Sequence, residues 1–418
     1  MSKIRIAWIC HLSNAQIRSQ LKYEKWTLWA IVRRIVGLVN ISDFSIWNTN
    51  AIREFEKFED VELHIISPHL YIYGIQEFEL NSIHYHFFKS EDDNLITRFK
   101  YKLKRRPKTS YKNNAAIIST IIDKINPQII HMIGAENPYY GESAFLLPNH
   151  IPFIVTPQTL MSDHKFFVNY PISRDLYAYR AGVETEILSR ADYVGTKTPY
   201  FREKISEIIS HKVKFLDVAL ALGDSIYLDN FKKEYDFVYF SADISKAADY
   251  AIEAFAIAKR TSPNITLHIV GGYSDSYMLT LRNMMLSLGI GDEVDFTGKL
   301  PTHHDVISEI RKAKFAVLPL KVDLIASTLR EAMANGLPVV TTVTPATPTL
   351  NEKRESVLLS DIGDFAKMAE NMCRLMADEN LSQELRNNAA RTVEELYSNA
   401  ANMREWRDNY YSILRNER

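Results

Sequence analysis

Short apolar runs rich in β-branched residues alternate with amphipathic helical segments along most of this chain. That alternation is the pattern of parallel α/β layers. In the first half, strands are read over residues 4–9, 61–66, 128–133, 153–156 and 193–196, with helices over 46–58, 115–125 and 176–189. A second series begins near Phe237. It has strands over 237–241, 266–271, 294–297, 316–319, 339–342 and 356–359, and helices over 249–259, 277–288, 305–312, 365–397 and 402–414. The fold class expected is therefore α/β, with two Rossmann-like series of similar size and a boundary near residues 197–230. No short repeat points to a solenoid.

The run over residues 322–342, VDLIASTLREAMANGLPVVTT, is the densest in chemistry. It holds two carboxylates, Asp323 and Glu331, on either side of a turn-like segment that feeds a short helix. LREAMA consists of good helix formers, Asn335-Gly336 supplies the usual stop, and Pro338 prevents continuation. A loop leaving a strand and entering a helix N-terminus is a ready place to hold a phosphate and its sugar. There is also a purely local reading. Ser327 or Thr328 would be the N-cap, and Thr328 with Glu331 spells the S/T-x-x-E capping box.

Length and charge set outer limits. A chain of 418 residues holds two or three domains, and a net charge of −1 gives no sign of a nucleic-acid partner. Two cysteines, Cys10 and Cys373, cannot form a disulfide framework, so a reducing, cytoplasmic setting is expected. KIRIAWICHL reads as a first strand, not a signal peptide, and no run has the length of a membrane span.

The run resembles the E-x7-E motif of retaining glycosyltransferase family 4, in which EAMA-x-G-x-PVV follows the second acid. Here Asp323, seven residues, Glu331 and AMANGLPVV stand in that order. The resemblance implies that Asp323 contacts hydroxyls of the transferred sugar and that Glu331 contacts the ribose. It also implies that backbone from Leu324, Ile325, Ala326, Ser327 and Thr328 meets the diphosphate, aided by the positive helix end. KAADYAIEAFAIAKRTSPNITLHIVGGY is similar to the family's K-G-x-D-x-A-I-E-A-F helix and the strand after it. This puts Lys246 on the diphosphate, Gly271 and Gly272 in a loop approached by the donor, and Thr297 and Gly298 beside the base. Three departures stand out. The first acid is Asp; Leu324, Ile325 and Ala326 replace glycines; and Ser241, Ala242 and Asp243 stand where an arginine is usual. Lys321 would be the substitute cation.

The resemblance further implies two doubly wound parallel-sheet domains facing a cleft, the GT-B architecture. Residues 1–205 would bind the acceptor and 206–399 the donor, with a helix over 400–418 returning to the first domain. On the acceptor side it points to Asn48, His131, Glu136, Asn137 and Gln158. His131 also reads as a satisfied strand histidine, and Gln158, where the family often has His, can hydrogen-bond a sugar but cannot act as a base. The apolar stretch over 26–39 and the basic run over 98–108 suggest peripheral contact with a membrane, or else a buried insertion and a solvated loop.

The expectation is a metal-independent retaining glycosyltransferase with no cofactor. It would use a UDP- or GDP-sugar donor and a saccharide or lipid-linked acceptor, in cell-surface polysaccharide or glycoconjugate synthesis. The competing expectation is a weak or inactive GT-B protein that binds a nucleotide sugar as a scaffold subunit.

Overall fold

The computed structural model describes residues 3–24, 43–91, 110–165, 172–223, 232–241, 246–291, 293–321 and 326–416. Ala242, Asp243, Asp323, Leu324 and Ile325, the stretch over 26–39 and the basic run over 98–108 lie outside the described residues. The chain forms two compact units. Unit 1 is Met1–Val168, Ile172–Ala221 and Asn399–Arg418; unit 2 is Asn169–Pro171 and Leu222–Ser398.

The strands of unit 1 are β1 (Ile4–Ile9), β2 (Val61–His69), β3 (Ile75–Leu80), β4 (Ile83–Lys89), β5 (Ile129–Ile133), β6 (Phe153–Thr156), β7 (Tyr193–Gly195) and β8 (Lys214–Leu216). They lie in the order β3-β4-β2-β1-β5-β6-β7-β8, parallel except for β3, which runs antiparallel to β4. The β3–β4 hairpin went unread in the sequence, since β3 (IQEFEL) is an edge strand with alternating exposure, not an apolar run. Its helices are α1 (Ala15–Gln20), α2 (Ile46–Phe55), α3 (Lys112–Ile125), α4 (Pro138–Gly141), α5 (Arg174–Arg190) and α6 (Pro199–Ile208). Residues 206–221 belong to this unit because β8 extends its sheet through β7.

Unit 2 contains β9 (Tyr235–Phe240), α7 (Ala248–Thr261), β10 (Leu267–Val270), α8 (Asp275–Leu288), β11 (Val294–Gly298), α9 (His303–Ile310) and β12 (Ala313–Leu318). After these come α10 (Ser327–Ala334), β13 (Val339–Thr342), β14 (Leu358–Ser360), α11 (Phe365–Ala377) and α12 (Glu379–Tyr397). The order is β11-β10-β9-β12-β13-β14, all parallel. Helix α7 shows why the pattern was legible. Ala251, Ile252, Ala254, Phe255 and Ala258 fall on one stripe and are buried against this sheet's core.

The single helix expected over 365–397 is two. Asp378 takes extended backbone (φ −121°, ψ 98°), accepts a hydrogen bond from Leu381 N at 3.0 Å, and starts α12 as its N-cap. The last helix, α13 (Asn399–Asn416), docks in unit 1. Met403, Trp406, Tyr410 and Ile413 recur at helical spacing and are buried with Trp8 and Phe55. Trp8 Nε1 donates to Tyr410 Oη at 2.9 Å, and Trp406 Nε1 donates to the Ala219 carbonyl at 3.1 Å.

Candidate functional site

In unit 2 the strand order reverses between β9 and β12, and the crevice beyond the carboxyl ends of such strands is where an open α/β sheet holds ligands. Lys246 follows β9, Gly271 and Gly272 follow β10, Thr297 and Gly298 end β11, and α10 follows β12. Parallel pairing places these loops along one sheet edge, with the β9 and β12 loops adjacent.

Helix α10 does not begin as the local reading expected. Its N-cap is Ala326, and no side chain caps it; Ser327 and Thr328 are already inside the helix. The Thr328–Glu331 capping box is therefore absent, and the amides of the first turn have no side-chain acceptor at the cap. The other end fits expectation. Gly336 has φ +73°, and Leu337 N donates to the Ala332 carbonyl at 3.0 Å, as a helix stop requires.

Glu331 is 2% exposed. A Cβ on Gly223 would stand 2.0 Å from its Oε1, so only glycine leaves room for the carboxylate there. His303, at the start of α9, brings a buried Nε2 to 3.5 Å from the same oxygen, without a hydrogen bond. Neither neighbour was anticipated. Gly223 sits in LALGDS and His303 in LPTHHD, with no spacing pattern around them. Beside Glu331, Arg330 is also buried and lies 5.2 Å from the Tyr397 ring centroid; burial lowers its pKa from the ordinary arginine range.

Lys246 is half-buried, and its carbonyl accepts from Tyr239 Oη at 2.7 Å. The next residue, Ala247, has φ +59°, a left-handed conformation that costs an alanine about 1–2 kcal/mol. Lys321 Nζ pairs with Asp249 Oδ2 at 2.6 Å and lies 4.4 Å from the Tyr250 ring centroid. Its charge is thus already engaged at the start of α7.

The glycine loops divide by role. A Cβ on Gly272 would lie 2.6 Å from Lys299 Cβ, so this glycine answers a packing demand within the fold. Gly271 N donates to the Gly298 carbonyl at 3.2 Å, joining two of the loops, and Gly298 has φ +73°. Thr297 Oγ1 is 2.5 Å from His268 Nε2.

In unit 1 the order reverses between β1 and β5. Glu136 and Asn137 follow β5, and Asn137 Nδ2 donates to Glu136 Oε1 at 2.8 Å. Arg180 Nε donates to the Glu136 carbonyl at 2.7 Å, and its Nη2 donates to Asn137 Oδ1 at 3.2 Å. Glu136 Oε2 is buried with no hydrogen-bond partner among the described residues. Burial raises its pKa, while the Arg180 charge and nearby amides, including that of Gln158, oppose the rise. Gly134, at φ +96°, makes room: a Cβ there would meet Tyr140 Oη at 2.3 Å and Glu136 Oε1 at 2.9 Å. Gln158 is half-buried in the loop after β6.

Two acceptor-side expectations sit inside the fold instead. His131 is 1% exposed, its Nδ1 2.6 Å from Tyr410 Oη and its Nε2 2.8 Å from Thr156 Oγ1. Both ring nitrogens are spent on packing α13 and β6 against β5. Asn48, 1% exposed, donates through Nδ2 to the His11 carbonyl at 3.0 Å and ties α2 to the end of β1.

Residues 229–392 match the family described as Glycosyl transferases group 1. The chain is 25% identical over 194 residues to the N-acetyl-alpha-D-glucosaminyl L-malate synthase of Bacillus anthracis, covering 46% of this chain and 46% of that protein. It spans less than half the length of the curated relatives it matches. Among solved structures, a sucrose-phosphate synthase from Thermosynechococcus elongatus superposes with TM-score 0.70 at 17% identity, over 99% of this chain and 100% of that one. Anabaena HepE in complex with UDP and glucose superposes with TM-score 0.65 at 12% identity, over 98% and 100%. The family match thus lies within unit 2, and the likeness of fold extends over nearly the whole chain.

Proposed function

We propose that this chain is a retaining, metal-independent glycosyltransferase of family 4, moving a sugar from a UDP- or GDP-sugar to a saccharide or lipid-linked acceptor. The observation that carries the reading is the burial of the Glu331 carboxylate within a helix whose start it does not cap. A buried acid held between Gly223 and His303 has no capping work to do. It is suited to accept hydrogen bonds from a ribose.

The uncapped amides of α10 and the Lys246 ammonium would stabilise charge building on the leaving diphosphate, the task that metal ions perform elsewhere. Asp323 would orient the donor sugar. Gly271, Gly272, Thr297 and Gly298 would line the nucleoside side. On the acceptor side the support lies with Glu136 and Asn137, clamped by Arg180 after β5, and with Gln158 beyond β6. The acceptor hydroxyl would lose its proton with help from the leaving phosphate.

We read the setting as cytoplasmic, with acceptors of cell-surface polysaccharide or glycoconjugate type, and with the 26–39 and 98–108 segments touching anionic lipid when the acceptor is lipid-linked. Among the described residues no helix is long and apolar enough to cross a membrane.

A thermal-shift screen over UDP, GDP and their sugars tests the reading, since a ligand of the native state raises stability by RT ln(1 + [L]/Kd). One nucleotide series should raise the melting temperature, and its sugar should be transferred with the anomeric configuration kept. A chain that no nucleoside diphosphate stabilises would overturn the proposal.

A further inference from the structure

Away from both ligand edges, unit 1 carries a cluster of histidines and glutamates on one face of β2, β4 and β3. In sequence it is a two-residue alternation: Glu62 and His64 on β2, Glu77 and Glu79 on β3, His84 and His86 on β4. Pairing brings them side by side. His64 lies beside His84, Glu79 opposite His84, and Glu77 opposite His86. Residues two apart on a strand share a face, so the six form one group.

The contacts form a chain. Glu62 Oε1 is 3.0 Å from His64 Nε2, His64 Nδ1 is 3.0 Å from His86 Nε2, and His86 Nδ1 is 3.2 Å from Glu77 Oε1. His64 and His86 are buried, and the His84 ring stacks on His64 at 4.6 Å. Each of the three contacts needs one hydrogen, and two neutral imidazoles carry only two. With both Nδ1–H groups directed toward Glu77, His64 Nε2 turns a lone pair toward the Glu62 carboxylate. Arg5 Nε reaches that carboxylate oxygen but not the imidazole nitrogen, so the His64 lone pair is open to a cation placed between the two.

We propose that Glu62, His64 and His84 bind a divalent transition-metal ion of the zinc type. Their donor atoms already lie within 4.8 Å of one another. Two imidazoles and a carboxylate are a zinc-type donor set, with bonds of about 2.0–2.2 Å. Seating the ion draws the donors to about 3.3–3.6 Å apart. Rotation of the half-exposed Glu62 and His84 side chains achieves this, with buried His64 as the fixed point. His86 and Glu77 hold the His64 tautomer with Nε2 toward the ion, the support that metal-bound histidines regularly have. Water, or Glu79 at 3.8 Å from His84 Nδ1, completes the coordination. Arg5 Nε already donates to Glu62 Oε1 at 2.7 Å and competes with the ion for that oxygen. Lys124 Nζ offsets Glu77 at 2.5 Å. A bound ion would clip the β3–β4 edge to β2.

Full-length protein without a polyhistidine tag, stripped by chelator and dialysed, is titrated with Zn(II) and with Co(II). One equivalent should bind, the cobalt form should show visible d–d bands, and the melting temperature should rise. His84→Ala and Glu62→Gln should each weaken binding by about tenfold or more. Arg5→Gln should tighten it by removing the competitor. Far-ultraviolet circular dichroism confirms that each variant is folded. Absence of saturable binding to the wild-type chain overturns the proposal, and so does binding that both His84→Ala and Glu62→Gln leave unchanged. The first result would mean that a third proton, not a metal, completes the chain of contacts.

Discussion

Gly223 leaves the space that the Glu331 carboxylate fills, and a Cβ on the glycine would come within 2.0 Å of Glu331 Oε1. Neither residue explains its own identity: the glycine is there for the acid, and the acid caps no helix.

Glu331→Gln should therefore keep the melting temperature of the wild type while weakening nucleotide-sugar binding by roughly 1–2 kcal/mol, about 5–30-fold. Gly223→Ala should weaken it too, by displacing the carboxylate. Calorimetric titration with the nucleotide found in the screen measures both. Normal binding with a lowered melting temperature in Glu331→Gln would reduce the acid to a packing element.

Lys246→Ala should lower affinity for nucleoside diphosphates far more than for the bare nucleoside, because an ammonium is recognised by phosphate oxygens. Equal losses for the two ligands would place Lys246 away from the phosphates.

Ala247 holds φ +59° next to that lysine. Glycine adopts this conformation without the steric penalty, though it loses more freedom on folding. Ala247→Gly should raise stability by about 0.5–1 kcal/mol in chemical denaturation. A neutral or destabilising result would show that the surroundings relieve the strain.

Transfer activity should survive a chelator, because protein groups balance the leaving diphosphate. Chelation should at the same time lower the melting temperature, by emptying the Glu62–His64–His84 site. Loss of transfer that Mg(II) or Mn(II) restores would contradict the metal-independent mechanism.

Burial holds His131 down to about 3 from an ordinary 6.5. Below that ordinary value the unfolded chain takes up a proton that the folded chain refuses until far lower pH. Stability should thus fall as pH drops from 6.5 toward 3, with His131 contributing a slope of about 1.4 kcal/mol per pH unit. His11, lowered to about 3 by burial and then by His69, adds a second such slope. Denaturation midpoints at about pH 7 and about pH 5 check the sign. His131→Gln should be less stable at pH 7, yet flatter with pH by one histidine's share.

The fold was legible because its signal is local. Strand and helix differ in the period of their apolar residues, and β9 to β14 with the helices between them follow the alternation that the sequence displays. The stop at Asn335-Gly336 was legible for the same reason, since a left-handed turn after a helix selects glycine. The Asp378 break and the β3–β4 hairpin were not, because a lone capping Asp and an edge strand barely disturb an apolar pattern.

The site residues fall on both sides of that line. Sequence by itself put Lys246 between a strand and a helix, and Asp323 and Glu331 on either side of a helix start, and resemblance gave them roles. Only the tertiary structure decided what Glu331 touches, since Gly223 and His303 come from distant parts of the chain. It alone showed His131 and Asn48 buried, with both His131 ring nitrogens engaged by Tyr410 and Thr156 and Asn48 Nδ2 by the His11 carbonyl. Sequence spacing can say which strand end a polar side chain occupies. Whether that side chain meets ligand or protein depends on partners that only packing brings within hydrogen-bonding distance.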